Sequence, residues 1–394
     1  METIPNDAGR RFMIVLNRAC PSADISLVRM TVSALIAVSF ASCALATDYC
    51  SNIQNLPPLV DLGPGQTYQG YEGGLYPGGS NVRPAAHDAA GRKIAQSIVP
   101  LDANGNPDHV NGKIVYTIES LSNGFPMWHT GEAGYDADTS VTFMTRANAD
   151  PTKNPQLSIA HGFEYQLGGE RDASDPNNPF YQSIDVGLQQ QGLTPQQVQV
   201  IYLFLPFSTT TLGVPAPPEN QTFPNDARIG QSYIKEAVRA SKTHFPNLKI
   251  IYVSTKGYTY ALPNYSNGIA VPGGPVEPWN HDMGWAVKWM IESQINGDPS
   301  LNYDPARGAV NAPWISWGPY FWTYGDGTPR AYDGFSWNCG DVYDDGIHLN
   351  HSGMYKEVSL LLAQMRSDPT ATPWFLASGE VPPPVEPPPR LRKH

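Results

Sequence analysis

The pattern of apolar and polar positions predicts strands that alternate with helices along most of the chain. Continuous apolar, β-branched runs are typical of strands buried on both faces. Such runs occur at residues 113–118, 157–160, 198–205 and 248–254. Apolar residues repeated every three or four positions indicate helices at residues 180–191, 226–245, 282–294 and 352–365. The alternation predicts an α/β fold, here a three-layer α/β/α sandwich in which helices cover both faces of a parallel sheet.

Segments rich in glycine, proline and aromatic residues separate these elements and predict long ordered loops. Residues 56–86 form such a lead, and their density of glycine and tyrosine indicates a constrained segment that lies over the body of the fold. Residues 377–394 are proline-rich with a basic end, which is typical of disordered polyproline II chain. We therefore predict one domain, residues 47–376, followed by a disordered tail.

Charge narrows the range of partners. The chain has 394 residues, with 36 acidic and 25 basic side chains and a net charge of −11. A protein this acidic lacks the basic surface that binds nucleic acid, and anionic lipid would repel it. We expect no nucleic-acid partner.

The N-terminal region has the form of an export signal. Residues 32–46 are an apolar run that follows Arg29 and ends in Ala44-Leu45-Ala46, a small-x-small pattern that signal peptidase accepts. The run is shorter than the roughly twenty residues that a membrane span needs. We predict a signal peptide at residues 1–46, a secreted or periplasmic mature protein and no membrane span in it. Lipid anchoring at Cys43 is the alternative.

Cysteine content agrees with export. Removal of residues 1–46 leaves Cys50 and Cys339, an even pair in an exported protein, and we predict that they form a disulfide. Two unpaired buried thiols are the alternative.

A candidate catalytic pair lies directly before the last predicted helix. Asp345 precedes His348 by three residues in a glycine-containing turn. This spacing lets the carboxylate bind one imidazole nitrogen while the other nitrogen faces a cleft, which is the orienting half of a catalytic triad. Near the first strand, Ser120 and Ser122 lie where a parallel sheet places ligands and nucleophiles, beyond the carboxyl end of a strand.

These two motifs resemble the SGNH (GDSL-type) hydrolases, in which a serine follows the first strand and an Asp-x-x-His pair precedes the final helix. Much of residues 56–375 is also similar to an uncharacterised family of exported bacterial SGNH-like proteins. The matching stretches are YEGGLYPGGSNVRP at 71–84, FPNLK at 245–249, WAVKWMIESQINGDP at 285–299, 302–305, APWISWGP at 312–319 and 373–375. The resemblance implies a serine esterase with His348 as the base and Asp345 as its orienting carboxylate.

The same resemblance leaves two registers for the nucleophile. If Ile118-Glu119-Ser120-Leu121-Ser122 corresponds to GDSLS, the nucleophile is Ser120; if the family's Gly-x-Ser-Asn form aligns with residues 120–123, it is Ser122. We prefer Ser122 because the Ser-Asn pair is retained, although neither register keeps its glycine.

The resemblance also implies which residues form the oxyanion hole. Gly168 matches the glycine whose amide binds the oxyanion, whereas residues 205–208 (LPFS) lack the usual asparagine. Asn123 or Ser208 is the candidate replacement.

The sequence gives little support for a metal or cofactor site. His348 and His351 lack a third ligand at a metal-binding spacing, and no HExxH, cysteine cluster or dinucleotide fingerprint occurs, so we predict no metal and no cofactor. Indoles of Trp317 and Trp322 are predicted to line a substrate groove, with core packing as the alternative, while Trp314 is expected in the core.

Two functions remain. The first is an exported serine esterase that hydrolyses carboxylic ester or O-acyl bonds, with an ester or an acylated polymer or glycan as substrate. The second is a catalytically weak or dead SGNH scaffold that binds carbohydrate or a cell-surface partner. The Asp345–His348 pair favours the first, and the absent asparagine and glycine favour the second.

Overall fold

The computed structural model describes residues 49–51, 53–120, 124–129, 139–162, 173–204, 222–260 and 277–377. All of them belong to one compact unit, Thr47–His394. The predicted signal peptide and the predicted tail from residue 378 onward lie outside the described residues.

Five parallel strands form the central sheet, and a two-residue hairpin lies apart from it. The hairpin pairs β1 (Thr67–Tyr68) with β2 (Tyr71–Glu72). The sheet strands are β3 (Ile114–Ser120), β4 (Leu157–Ile159), β5 (Val198–Phe204), β6 (Ile250–Val253) and β7 (Trp314–Trp317). Their order is β4-β3-β5-β6-β7, which is the doubly wound order 2-1-3-4-5 when the sheet strands are counted along the chain.

Helices cover both faces of this sheet. In chain order they are α1 (Ala85–Gln96), α2 (Gly124–Trp128), α3 (Phe143–Asn148), α4 (Pro179–Gln190), α5 (Asn225–His244), α6 (Trp279–Ile295), α7 (His351–Ser367) and α8 (Thr372–Phe375). Helices α4, α5 and α6 bury their apolar sides in one core cluster, and α2, α3, α7 and α8 bury most of theirs in a second. Alternate residues of β3 belong to the two clusters, with Val115 in the first and Tyr116 in the second. The predicted α/β/α sandwich with a parallel sheet is therefore confirmed.

The predicted bounds agree with the structure within a few residues, but several elements were not predicted: the β1–β2 hairpin, the helices α1, α2, α3 and α8, and the strand β7. Helix α1 buries only His87, Gly91 and Ala95, so its inward face carries almost no large apolar residue. Gly91 lies so close to Trp314 that a Cβ there would be 2.3 Å from the indole. Small residues that allow such an approach leave no apolar periodicity to detect.

The lead at residues 56–86 packs on the sheet, as its composition predicted. Trp317 Nε1 donates to the Leu75 carbonyl at 2.8 Å, and the Tyr76 and Ser316 hydroxyl oxygens are 3.0 Å apart. Further along, the Arg83 guanidinium makes two 2.7 Å hydrogen bonds to the Asp368 carboxylate. These contacts join the lead to β7 and to the residue that follows α7.

The predicted disulfide is present. Cys50 and Cys339 are bonded across 289 positions of sequence, with their Cα atoms 5.4 Å apart. The bond joins the first described segment to a short 3₁₀ helix, Cys339–Asp341, close to the predicted catalytic turn. Among the described residues, no helix is long and apolar enough to span a membrane.

Candidate active site

The carboxyl ends of β3 and β5 mark the point where the strand order reverses, which is where doubly wound sheets bind ligands. Ser120 is the last residue of β3, and its hydroxyl donates to the carbonyl of Phe204, the last residue of β5, at 2.9 Å. Gly124 lies against the same hydroxyl, since a Cβ at that position would be 1.5 Å from Ser120 Oγ. Ser120 is thus buried, with its hydroxyl proton directed at a main-chain carbonyl.

This arrangement bears on the choice of register. A nucleophilic serine must give its proton to a general base during attack, whereas Ser120 Oγ donates to a carbonyl that cannot accept a proton in catalysis. The choice between Ser120 and Ser122 stays a prediction. Ser122 and Asn123 lie outside the described residues, as do Gly168 and Ser208, so their roles stay predictions.

Asp345 and His348 are brought together as their spacing predicted. His348 Nδ1 is 2.5 Å from Asp345 Oδ2, while Asp345 Oδ1 accepts the backbone amides of Ile347 at 2.8 Å and His348 at 2.9 Å. The imidazole retains 22% of its exposure, so it faces solvent in part. One carboxylate therefore fixes both the backbone of the turn and the orientation of the ring.

The electrostatics of Asp345 keep it ionised. Partial burial acts to raise the pKa of this carboxyl, but the hydrogen bond and charge of His348 and the two backbone amides outweigh burial and hold its pKa below the usual value. An ionised Asp345 stabilises the imidazolium that forms when His348 takes a proton.

The turn that carries Asp345 and His348 is the tip of a small hairpin. Val342 and Leu349 form an antiparallel bridge, and the Tyr343 amide donates to the His348 carbonyl at 2.8 Å. Gly346 occupies the tip with φ +72°, a conformation that glycine adopts without steric cost. Its carbonyl accepts the amide of Tyr260 at 2.8 Å, so the chain that leaves β6 supports the tip.

Asp341 fixes the base of this hairpin. Its buried carboxylate accepts hydrogen bonds from Ser352 Oγ at 2.7 Å, Lys356 Nζ at 2.6 Å and the Asn338 amide at 2.9 Å. Its carbonyl accepts the amide of Asn350, the N-cap of α7, at 3.2 Å. The hairpin is thereby tied to the first turns of α7.

Two buried charged residues near this hairpin were not singled out from the sequence. Lys256 follows the carboxyl end of β6 and is 5% exposed, and Glu357 on α7 is fully buried. Glu357 lies on the same apolar stripe as Met354, Val358 and Leu361. Glu357 could have been identified from the sequence, because it is a charged residue within an apolar helical stripe.

The remaining predicted residues have packing roles. Trp317 is 3% exposed and Trp322 is fully buried, both in the core cluster of α4, α5 and α6, and Trp314 is buried in the other cluster as expected. These positions match the core-packing alternative for both indoles, and their contact with substrate stays a prediction. Within the described ranges, no three or more His, Cys, Asp or Glu side chains are grouped so as to hold a metal ion.

Comparisons with known proteins add little to this geometry. No family model matches the chain, and no curated protein matches it either. The alignment with a solved crystal structure covers 67% of this chain and 98% of the chain in that structure. The sequence identity is 12% and the TM-score is 0.32. A likeness of this size carries no argument, so the strand pairing alone defines the fold.

Proposed function

We propose that the protein is an exported serine esterase of the SGNH type that cleaves carboxylic ester or O-acyl bonds, with acylated polymers or glycans as its substrate class. The observation that carries the proposal is the 2.5 Å contact between His348 Nδ1 and Asp345 Oδ2, in a turn supported by the chain that leaves the carboxyl end of β6. Serine hydrolases need a histidine whose tautomer and orientation are set by a carboxylate.

The chemistry follows from these roles. The Ser122 hydroxyl attacks the ester carbonyl while His348 Nε2 takes its proton, and the imidazolium is stabilised by ionised Asp345. His348 then gives that proton to the departing alcohol, which leaves an acyl group on Ser122. Water then attacks the acyl-enzyme while His348 takes its proton, and His348 returns that proton to Ser122 Oγ as the carboxylic acid leaves.

The oxyanion hole determines how fast this reaction runs. The Gly168 amide and Asn123 are the proposed donors, and the asparagine that the family supplies after its third strand is absent from residues 205–208. Loss of one such donor typically costs about 3–4 kcal/mol of barrier. This absence favours the second candidate, a scaffold of the same fold that binds carbohydrate or a cell-surface partner without turnover.

Export is part of the proposal. The Cys50–Cys339 disulfide is compatible with an extracellular or periplasmic protein, because disulfides persist in oxidising compartments. Cleavage before Thr47 would leave Cys50 close to the new N-terminus.

A short-chain nitrophenyl ester tests the proposal on the mature protein, residues 47–394. We expect hydrolysis by the wild type and a loss of at least about 10³-fold in Ser122→Ala, as when a nucleophile is removed. Ser120→Ala is the matched control, and collapse of the rate in that variant alone would show that Ser120 is the nucleophile. A serine-directed phosphonate should label the Ser122 peptide. Absence of both hydrolysis and labelling in folded protein would favour the binding scaffold.

A further inference from the structure

His281 lies in the first turn of α6, between two hydrogen-bond acceptors. Its Nδ1 is 2.8 Å from Asp282 Oδ1, and its Nε2 is 3.1 Å from the carbonyl oxygen of Pro57. The side chains of His281 and Asp282 are both fully buried. Because a carbonyl oxygen only accepts, the hydrogen bond to Pro57 needs a hydrogen on Nε2. A neutral imidazole carries one N–H, so Nδ1 must then accept a hydrogen from Asp282 or be protonated itself.

Two protons are therefore shared by three sites, Nε2 and Nδ1 of His281 and Oδ1 of Asp282. In one form Asp282 is a neutral acid that donates to Nδ1, and in the other a doubly protonated imidazole lies beside an ionised carboxylate. Both forms hold one proton more than a neutral histidine and an ionised aspartate, which is the state of these side chains in an unfolded chain above about pH 7. Both contacts of the ring depend on that extra proton.

Burial places the extra proton on Asp282. It raises the pKa of the Asp282 carboxyl to about 7 and lowers the pKa of the His281 imidazole to about 4, because a charge on either group would be held away from water. Between these two values Asp282 is a neutral acid that donates to Nδ1. At higher pH the acid ionises, and the single ring hydrogen is then on the nitrogen next to the carboxylate.

Two further acids face this pair from neighbouring segments. Glu277, in the chain before α6, accepts the His281 amide through Oε2 at 3.3 Å and the Thr259 amide through Oε1 at 3.0 Å. Asp226 lies in the first turn of α5, which packs against α6. Burial raises the pKa of both acids to about 7, and the charge of Asp282 adds to this effect at Asp226. Among the described residues no lysine or arginine forms an ion pair with these three acids, so no basic side chain there offsets their ionisation.

The tyrosines around these acids do not titrate in the same range. Tyr68 of β1 contacts the imidazole, and Tyr258, Tyr260 and Tyr320 interact with the charge of Glu277. Burial raises the pKa of each hydroxyl above its usual value near 10. The four tyrosines are therefore neutral at every pH at which the acids change charge.

The lead contacts His281 at two points. One is the Pro57 carbonyl, and the other is the edge of the Tyr68 ring, whose centroid is 4.7 Å from that of the imidazole. Between these points Leu59 is fully buried, and its amide donates to the Tyr320 hydroxyl at 3.3 Å. The imidazole is thus a contact through which the first part of the lead is held on α6.

We propose that His281 and Asp282 form a proton-operated latch, which holds residues 57–68 on α6 while the pair keeps its second proton and loosens them when that proton leaves. On ionisation Asp282 passes its proton to Nδ1, and Nε2 releases one to solvent. The Nε2 lone pair then faces the lone pairs of the Pro57 carbonyl. A buried carbonyl without a donor and a buried carboxylate are both costly, so the lead opens more often.

The sign of the pH dependence follows from the two pKa values of the pair. The folded pKa of Asp282, about 7, lies above the value near 4 of an unfolded aspartate, so the stabilisation from its proton is lost as the pH rises through about 7. The folded pKa of His281, about 4, lies below the value near 6.5 of an exposed histidine, so acid favours the open form. The two effects offset one another in acid, and the lead loosens as the pH rises past neutrality.

Nitrogen-15 NMR of the histidine side chains tests the latch in the mature protein, residues 47–394, because the two neutral tautomers and the imidazolium have different nitrogen shifts. We expect His281 to be the Nε2–H tautomer at about pH 6 and the Nδ1–H tautomer at about pH 8.5, with a midpoint near 7. Hydrogen exchange follows the lead in the same samples. After correction for the intrinsic exchange rate, protection of the Leu59 amide should fall about three- to tenfold over this range.

Asp282→Asn should keep the latch closed. Its amide group can donate to Nδ1 at every pH, so the Nε2–H tautomer of His281 and the protection of Leu59 should both persist at about pH 8.5. Asp185→Asn is the matched control, because Asp185 Oδ1 is 2.8 Å from His244 Nε2 in a second histidine–aspartate pair, between α4 and α5. This variant should leave the His281 tautomers and the lead as in wild type.

Two results would overturn the latch. One is a single His281 tautomer in wild type over the whole pH range, and the other is an equal loss of Leu59 protection in wild type and in Asp282→Asn. The tautomer measurement uses the wild-type protein, so it decides the proposal even if the Asp282→Asn protein does not fold. Neither measurement needs turnover, so the result is independent of whether the protein is an esterase.

Discussion

Asp345 binds His348 twice, once at the imidazole and once at the backbone amide of the same residue, through its two carboxyl oxygens. The turn therefore closes around the carboxylate, and the ring cannot rotate without losing a hydrogen bond to a charged group. Such charge-assisted hydrogen bonds are shorter and about twice as strong as neutral ones.

Asp345→Asn should remove most of the activity and little of the stability. Asparagine can still accept the backbone amides, but it removes the negative charge opposite the imidazolium and can favour the wrong imidazole tautomer, so we expect kcat/KM to fall roughly 10²–10⁴-fold. The melting temperature should change little because the Asp345 side chain is 46% exposed. Asp344→Asn, at the exposed neighbouring acid, is the control and should retain full activity.

Local features of this site could be predicted from the sequence, and long-range ones could not. The Asp345–His348 pair was predictable because three positions of sequence separate its members. Ser120 donates to Phe204 across 84 positions, and that contact depends on β3 and β5 being neighbours in the sheet. The approach of Gly257 to Glu357 likewise depends on where α7 lies after the last crossover. The apolar runs predicted which strands exist but not their order.

Loss of the disulfide should destabilise the protein and weaken catalysis together. Cys339 lies two residues before Asp341, so Cys50→Ser/Cys339→Ser frees the base of the catalytic hairpin as well as the N-terminal segment. Loop-closure entropy for so long a loop gives an upper estimate on the order of 5 kcal/mol. Urea denaturation of the oxidised, reduced and doubly substituted proteins measures how much the disulfide contributes to the free energy of unfolding. Identical midpoints for the three would show that native contacts alone hold the segment.

Glu119 should make the protein less stable as the pH rises. It lies in β3, fully buried, with Ser241 Oγ donating to its Oε2 at 2.8 Å. Burial raises the pKa of this carboxyl to about 8, well above the value of an unfolded glutamate, and the Ser241 hydrogen bond offsets only part of that effect. Its stabilisation is therefore complete in acid and is lost as the pH rises towards 8.

The Glu119→Gln variant isolates this contribution. Glutamine can accept the same hydrogen bond and does not titrate, so the variant should gain stability over wild type by about 1.4 kcal/mol per pH unit between roughly pH 5 and 8. Urea denaturation at several pH values measures the difference. Glu236→Gln, at an acid on α5 whose side chain is 45% exposed, is the matched control. A constant offset between Glu119→Gln and wild type across this range would contradict the assignment.

Asp341 should prove a structural anchor of the catalytic hairpin. Its side chain is 1% exposed and pairs with Lys356, which is 15% exposed. Asp341→Asn leaves that ammonium without its counter-charge, and breaking a buried pair in this way typically costs about 3–5 kcal/mol. Because Lys356 can reach water in part, we expect about 2–4 kcal/mol here. Esterase activity at permissive temperature should fall as well, since the base of the hairpin loses its ion pair with Lys356 on α7.

A double-mutant cycle separates the ion pair from the rest of the anchor. In Lys356→Met the acid keeps its hydrogen bonds from Ser352 and the Asn338 amide, whereas Asp341→Asn/Lys356→Met removes both charges at once. Removing both partners avoids the uncompensated ammonium, so the double variant should be less destabilised than the sum of the two single variants by about 1–3 kcal/mol. Strictly additive losses in urea denaturation would mean that Asp341 acts through its hydrogen bonds to Ser352 and Asn338 alone. The hairpin would then depend on those hydrogen bonds and not on the charge of Lys356.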